Sequence, residues 1–238
     1  MREDRFFVNL ELKKGKIEIG EKRIFHQLKN VLRKGVGEKI ILFDGKMNEA
    51  ISEIKKISRD KIEVEILEIK KNEKEPKISV SLFCSILKKS NFELVCQKAT
   101  EVGVKEIVPI ICKRTIKTGL NLERLKKIII EATEQSQRGI LPKLISPKKF
   151  KDAIEIAKDF DLKILFDISG KNFFEIKFEK PQKIAIFIGP EGGWDRKEIE
   201  LAKKESFKIL NLGNLNLRAE TAATVASFLA INFLNCEK

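Results

Sequence analysis

The sequence predicts an α/β protein built in two parts, a small antiparallel β domain followed by a larger domain with a mostly parallel sheet. Three observations carry this reading. Short period-two apolar runs extend to about Lys71, the segment Lys70 to Pro76 holds no apolar side chain except its closing proline, and beyond it fully apolar runs alternate with segments of three-and-four spacing. The 238 residues, 42% of them apolar, suffice for one large core or two smaller ones at roughly 100–200 residues per domain.

In chain order, Phe7 to Leu12, Lys39 to Phe43, Ala50 to Ile57 and Lys61 to Ile69 read as strands. In the last of these Ile62, Val64 and Ile66 alternate with charged residues, so one face is apolar. Asp44-Gly45 is the strongest turn signal and Arg59-Asp60 a second, while Glu21 to Leu32 reads as a short helix between strands. Lys70 to Pro76 is expected to serve as a linker that contributes to neither core. This divides the chain into domains at 1–71 and 77–238. In the second domain, strands at Ile78 to Cys84, Ile107 to Cys112, Lys163 to Asp167, Ile184 to Ile188 and Ile209 to Leu212 alternate with helices at Asn91 to Val102, Leu122 to Gln137, Phe150 to Lys158, Arg196 to Glu205 and Ala219 to Asn235. Ile184-Ala185-Ile186-Phe187-Ile188 is apolar on both faces, which implies a parallel strand covered from both sides.

Forty-eight Lys and Arg against 35 Asp and Glu leave a net charge of +13. Such an excess concentrates polyanions, so nucleic acid, an anionic membrane or a phosphorylated substrate leads the partner classes. The excess is spread over both parts, with 19 basic and 15 acidic residues up to Glu75 and 29 and 20 beyond it, which fits a polyanion lying across the whole molecule. The longest apolar stretch, Ala222 to Leu234, is interrupted by Thr224, Ser227 and Asn232 and falls short of the roughly 20 residues a membrane span needs. The N-terminus lacks the apolar run of a secretory signal, so a cytoplasmic protein is expected. Cys84, Cys96, Cys112 and Cys236 form no CxxC pair and only His26 could join them, so reduced thiols and no metal are expected.

Open α/β sheets bind ligands beyond the carboxyl ends of their strands. Two loops stand there, Gly189-Pro190-Glu191-Gly192-Gly193-Trp194 and Gly213-Asn214-Leu215-Asn216-Leu217-Arg218. Neither is GxGxxG or GxxxxGK[ST], so dinucleotide and P-loop chemistry have no support. Glycines without a phosphate motif suggest a ligand held by backbone amides and carbonyls. The lone His26 lies in the other domain, on a helix, which leaves nucleophilic catalysis without its base.

These two loops, with Lys98-Ala99-Thr100-Glu101-Val102-Gly103-Val104, Glu131-Ala132-Thr133-Glu134-Gln135-Ser136-Gln137-Arg138, Arg5-Phe6-Phe7 and His26-Gln27-Leu28-Lys29-Asn30-Val31-Leu32-Arg33, resemble the RsmE-type 16S ribosomal RNA (uracil-N3)-methyltransferases of the SPOUT superfamily. The likeness covers nearly the whole chain. It implies a PUA-like β-barrel that helps dock RNA and an α/β methyltransferase domain with a deep trefoil knot. It also implies a homodimer that binds S-adenosylmethionine and methylates N3 of a uridine in the small ribosomal subunit, without a metal. The implied cofactor residues are Leu165, Phe166, Ile188, Gly189, Pro190, Glu191, Gly192, Gly193, Leu212, Gly213, Leu217 and Arg218, and Arg5, His26, Arg33 and Arg138 would meet RNA.

The chemistry adds roles. As the N3 proton leaves, charge spreads onto the flanking carbonyl oxygens, which a guanidinium from Arg218 or Arg138 would stabilise. Glu191, Glu134 and Glu220 are the possible proton acceptors. With no tyrosine and one tryptophan, base stacking would fall to Phe6, Phe7, Trp194 or Phe173-Phe174, although their pattern fits core better than platform. Two other readings stand beside this one, a non-catalytic RNA-binding or ribosome-assembly protein and a SPOUT enzyme acting on tRNA.

Overall fold

A computed structural model describes residues 4–116, 118–179 and 181–233, the side chain of Lys89 excepted. The chain forms two compact units, one of residues up to Glu75 with Thr133–Leu141, the other of Pro76–Ala132 with the chain from Pro142 onward.

In the first unit β1 (Arg5–Phe7), β2 (Gly15–Ile19), β3 (Lys39–Phe43), β4 (Asn48–Ile57) and β5 (Ile62–Lys71) make one sheet in the order β1-β3-β4-β5-β2. Three of its pairings are antiparallel, as expected, but β1 runs parallel to β3. The long excursion through β2 and the helical segment lets the chain return in the same direction, which a tight hairpin could not do. Phe7 to Leu12 is not a strand; the ladder lies earlier, with Arg5, Phe6 and Phe7 opposite Ile41, Leu42 and Phe43. Strand β2 went unread because its alternation is short and half-exposed. The expected helix is one turn of α-helix, α1 (Lys22–His26), running into a π-helical turn at Gln27–Val31, and it turns Ile24 and Leu28 into the core. Ile62, Val64 and Ile66 point inward beside Phe6, Val8, Ile40, Leu42 and Ile54, as their alternation required.

Lys70 to Pro76 is not an uninvolved linker. Strand β5 continues through Lys71, Asn72 is buried, and so is the side chain of Glu75. Glu49 accepts from Arg5 and from Asn72 Nδ2 at 2.6 Å. Arg138 donates to Glu75 through Nε at 3.2 Å and Nη2 at 2.9 Å, the Ile140 amide adds a third bond to Glu75 at 3.0 Å, and Arg5 Nη2 donates to the Arg138 carbonyl at 3.0 Å. Glu134 takes Arg23 Nη1 at 2.8 and 3.0 Å and the Phe7 amide at 2.8 Å. Lys70, Lys71, Glu73 and Lys74 stay exposed, while Asn72 and the Glu75 side chain turn inward where charges meet opposite charges and the other lone pairs find donors.

The second unit holds β6 (Ser79–Ser85), β7 (Glu106–Ile111), β8 (Lys143–Leu144), β9 (Lys148–Lys149), β10 (Leu162–Asn172), β11 (Lys183–Ile188) and β12 (Lys208–Asn211) in an all-parallel sheet, order β12-β10-β11-β6-β7-β8, with β9 also beside β7. Its helices are α2 (Lys89–Val102), α3 (Leu122–Ser136), whose residues from Thr133 belong to the first unit, α4 (Phe150–Ile156), α5 (Arg196–Lys204) and α6 (Ala219–Asn232). The last was expected to reach Asn235, and residues 234–238, with Cys236, lie outside the described residues. Phe83 and Phe187 stack at 4.4 Å in a core with α4 and α5, while α6 packs on α2, β6 and β11. Ile184 to Phe187 are fully buried, as an apolar strand covered on both faces must be. The one large departure is β10: after Phe166 pairs with Leu210, pairing resumes with Lys171 opposite the same Leu210, so residues 167–170 bulge out at the strand's carboxyl end.

Cys84, Cys96 and Cys112 are free and buried. Burial, aided by Glu93, pushes the Cys96 thiol up to about 12, and burial with Glu198 nearby does the same for Cys112. Their ordinary value is 9.0, so the unfolded chain ionises first as pH rises. The stability they contribute is intact below pH 9 and is lost between pH 9 and 12. The expected result is that denaturation midpoints fall across that window, and that peptide mapping after alkylation at pH 8 finds Cys96 and Cys112 unmodified in the folded protein.

Candidate functional site

Because the sheet is parallel, the carboxyl ends of β6, β10, β11 and β12 share one edge, and the segments leaving them enclose a cleft of about 680 Å³. That is the size of a small-molecule site. Ile86 to Lys88 follow β6, Asp167 and Ile168 belong to the β10 bulge, Gly189 to Trp194 follow β11, and Leu212 to Ala219 lead into α6.

The loop after β11 is pinned on several sides. The Gly193 amide closes a turn onto the Pro190 carbonyl at 2.8 Å, and Trp194 Nε1 donates to the Phe166 carbonyl at 2.8 Å, tying the loop to the end of β10. A Cβ on Gly189 would lie 3.0 Å from the Trp194 ring, so a side chain there would crowd the indole where it closes on the strand end. Arg114, just beyond β7, donates to the Gly192 carbonyl at 2.7 Å. Asp195 then caps α5 in a capping box with Glu198. Its carboxyl is held below its ordinary value first by the Lys113 side chain, at 2.9 Å, and then by the Lys197 amide.

The loop after β12 is shaped from within. Asn211 Nδ2 donates to the Gly170 carbonyl at 2.7 Å while its Oδ1 accepts from the Gly213 amide at 3.0 Å. Gly213 has φ +116° and no atom within 4 Å of where a Cβ would stand, so its backbone faces open cleft in a conformation that side chains resist. Arg218 precedes the first turn of α6 with an exposed guanidinium, and among the described residues no carboxylate pairs with it, neither Glu191 nor Glu220.

Of the expected cofactor residues, Phe166, Ile188, Gly189, Pro190, Glu191, Gly193, Leu212, Gly213, Leu217 and Arg218 line this cleft. Leu165 does not: neighbouring strand residues point to opposite faces, and Leu165 joins the phenylalanine core. Gly192 is absent from the lining and spends its carbonyl on Arg114. Glu191 is exposed and accepts weakly from the Lys88 amide at 3.4 Å, while Glu220 is a buried lining residue. Arg114 and the walls Ile86, Leu87 and Asn91 were not anticipated; the basic turn Lys113-Arg114 directly after a parallel strand was the available signal.

A family profile described as RNA methyltransferase domain matches residues 73–231. The chain belongs to this family. A second profile, RNA methyltransferase PUA domain, matches residues 20–67 of the methyltransferase, so its N-terminal domain is PUA-like. The ribosomal RNA small subunit methyltransferase E of Mesomycoplasma hyopneumoniae is 40% identical over 164 residues, 67% of this chain and 72% of its own length. Its counterpart in Rickettsia conorii is 32% identical over 234 residues, 95% and 94% of the two chains. The crystal structure of a ribosomal RNA small subunit methyltransferase E from Neisseria gonorrhoeae bound to S-adenosyl methionine superposes with a TM-score of 0.91 at 30% identity, over 98% of each chain.

Two expected RNA contacts of the methyltransferase need correcting. Arg5 is 8% exposed, paired with Glu49 and set over the Phe43 ring at 4.4 Å, and Arg138 is 5% exposed and paired with Glu75. A phosphate or a uracil oxygen needs an accessible guanidinium, and these two are committed inside the first unit. Glu134 is likewise occupied by Arg23 and the Phe7 amide, so it is no free base. His26 and Arg33, in contrast, are exposed. Among the described residues no cluster of His, Cys, Asp and Glu could hold a metal ion, and no helix is long and apolar enough to cross a membrane.

Proposed function

We propose that this chain is an S-adenosylmethionine-dependent ribosomal RNA methyltransferase acting on N3 of a uridine in 16S rRNA, with the cleft beyond β10, β11 and β12 as its active site. The supporting observation is the meeting of an open backbone at Gly213 with a guanidinium at Arg218 that has no ion-pair partner among the described residues, in one small-molecule cleft inside the family's methyltransferase domain.

The cleft suits the cofactor. Backbone at Gly189, Gly193, Leu212 and Gly213 can approach an adenosyl group closely, and Phe166, Ile188 and Leu217 supply apolar walls. When bound, S-adenosylmethionine supplies an activated methyl group on a sulfonium. The residues of this chain do the rest. The loops exclude water and orient the reactants, Arg218 stabilises negative charge that develops on the uracil oxygens, and Glu191 or Glu220, both at the cleft, accepts the N3 proton.

The wider reading follows the resemblance. Domain 1–71 docks RNA as a PUA-like barrel through His26 and Arg33, and domain 77–238 carries the reaction. The knot is supported by the path after β12: from the far edge of the sheet the chain returns as α6 to pack against β6 and β11 nearer its centre. The homodimer is supported by exposed Phe228 and Phe233 at α6 and its end. We place the enzyme in the cytoplasm, where ribosomal subunits are its substrate.

The deciding experiment combines calorimetry with nucleotide-resolved methylation. The wild-type chain is expected to bind S-adenosylmethionine without added metal and to methylate one uridine of purified small subunits or naked 16S rRNA. Gly213→Val is expected to lose binding by more than about a hundredfold, because a β-branched side chain neither adopts that φ nor leaves the cleft open. Cofactor binding with no methylation of either RNA would favour the assembly-protein reading, and modification of tRNA alone the other.

A further inference from the structure

Among the described residues the three most exposed large apolar side chains are Ile116, Leu215 and Ile168, at 86%, 81% and 70%. All three line the one cleft described above. They come from three separate segments, the loop after β7, the loop after β12 and the β10 bulge. Single exposed aliphatic residues are ordinary on a protein surface, but the most exposed ones converging on one opening mark a contact surface.

The charges beside them indicate what is contacted. Lys88 and Arg218 are exposed cleft residues and Arg114 lies over the glycine loop, while of the lining carboxylates Glu191 is exposed, Asp167 half-buried and Glu220 buried. Apolar side chains edged by cations suit an object with apolar faces, polar edges and a neighbouring phosphate, which describes a nucleotide base in RNA. The aromatic residues that could have stacked on a base are buried or lie outside the lining of the cleft. Phe6, Phe173 and Trp194 are buried, Phe7 packs edge-on to Phe43, and Phe174 packs edge-on to Phe233.

We propose that Ile116, Ile168 and Leu215 form an aliphatic clamp that holds the faces of the target uracil after it leaves its strand, in place of aromatic stacking. Lys88 and Arg218 meet its phosphate and its ring oxygens. The proposal rests on the reading of this cleft as an RNA methyltransferase site. It assigns a step that reading leaves open, how the base is held while its N3 edge faces the methyl donor.

The test uses Ile116→Ser and Leu215→Ser, singly and together, with Ile116→Leu and Leu215→Met as conservative controls, in the full chain. Three quantities are measured: S-adenosylmethionine affinity by calorimetry, oligomeric state by light scattering, and single-turnover methylation of small-subunit RNA as a function of RNA concentration. Each serine variant is expected to lose about tenfold in kcat/KM for RNA, as for removal of one base-stacking side chain. The double variant should lose about a hundredfold, while the conservative variants stay near wild type and cofactor affinity and oligomeric state are unchanged. Weakened cofactor binding would assign these side chains to the cofactor's pocket and overturn the clamp. A smaller species in light scattering would make them an interface between copies, and unaltered RNA kinetics would leave them no role. Failure of the underlying reading is visible earlier, as a wild-type protein that methylates no RNA.

Discussion

Replacing Arg218 with alanine is expected to lower the single-turnover methylation rate at saturating RNA by about two to three orders of magnitude while RNA affinity changes little. The guanidinium is exposed at the cleft, without an ion-pair partner among the described residues, and it stands where α6 begins. A donor already aimed at developing charge needs no reorganisation during the reaction, and removing one such donor commonly costs a factor of about 10²–10³ in rate. Arg33 is the contrasting case, exposed in the first unit. Arg33→Ala should weaken RNA binding and reduce the salt slope by about one unit, with the saturated rate preserved. RNA affinity across a salt series, measured beside single-turnover rates, separates the two roles. If Arg218→Ala loses affinity and keeps its saturated rate, the residue docks RNA and the electrostatic mechanism fails.

The second large effect concerns stability. Glu75→Ala and Arg138→Ala each remove one half of a buried ion pair, and each is expected to destabilise the first unit by about 3–5 kcal/mol, read as a lower denaturation midpoint. Domains are commonly stable by only about 5–15 kcal/mol, so either variant approaches unfolding. Removing both charges together, as Glu75→Leu with Arg138→Met, should recover most of the loss, since a buried pair can be exchanged for apolar groups at little net cost. The double variant also decides between two roles for Arg138. A structural residue predicts a stable, active double variant, whereas a residue that meets the uracil predicts a stable one that is slow.

What could be read from the residues follows from what apolar patterns report. The parallel strands were visible because burial on both faces forces runs such as Ile184 to Ile188, and the two cleft loops because glycines at the ends of such strands stand out. Charge burial leaves no comparable mark. Glu75 and Arg138 are 63 positions apart, and nothing local to either says that they meet. The stretch that looked most like a linker therefore supplies Asn72 and Glu75 to a buried polar cluster, and two of the arginines that looked like RNA contacts, Arg5 and Arg138, are internal. Parity was lost where only a strand's end was considered, so Leu165 and Phe166 were grouped although they face opposite ways. The β10 bulge was invisible because its looped-out residues 167–170 carry the ordinary composition of a turn.

Trp194 closes the loop after β11 onto the carbonyl of Phe166 and forms part of the cleft wall. It is the only tryptophan in a chain that has no tyrosine. The near-ultraviolet emission of the whole protein therefore originates at one wall of this cleft. A ligand entering the cleft, or a mutation that frees the indole, alters the surroundings of that single fluorophore, so occupancy can be followed by intrinsic fluorescence without a label.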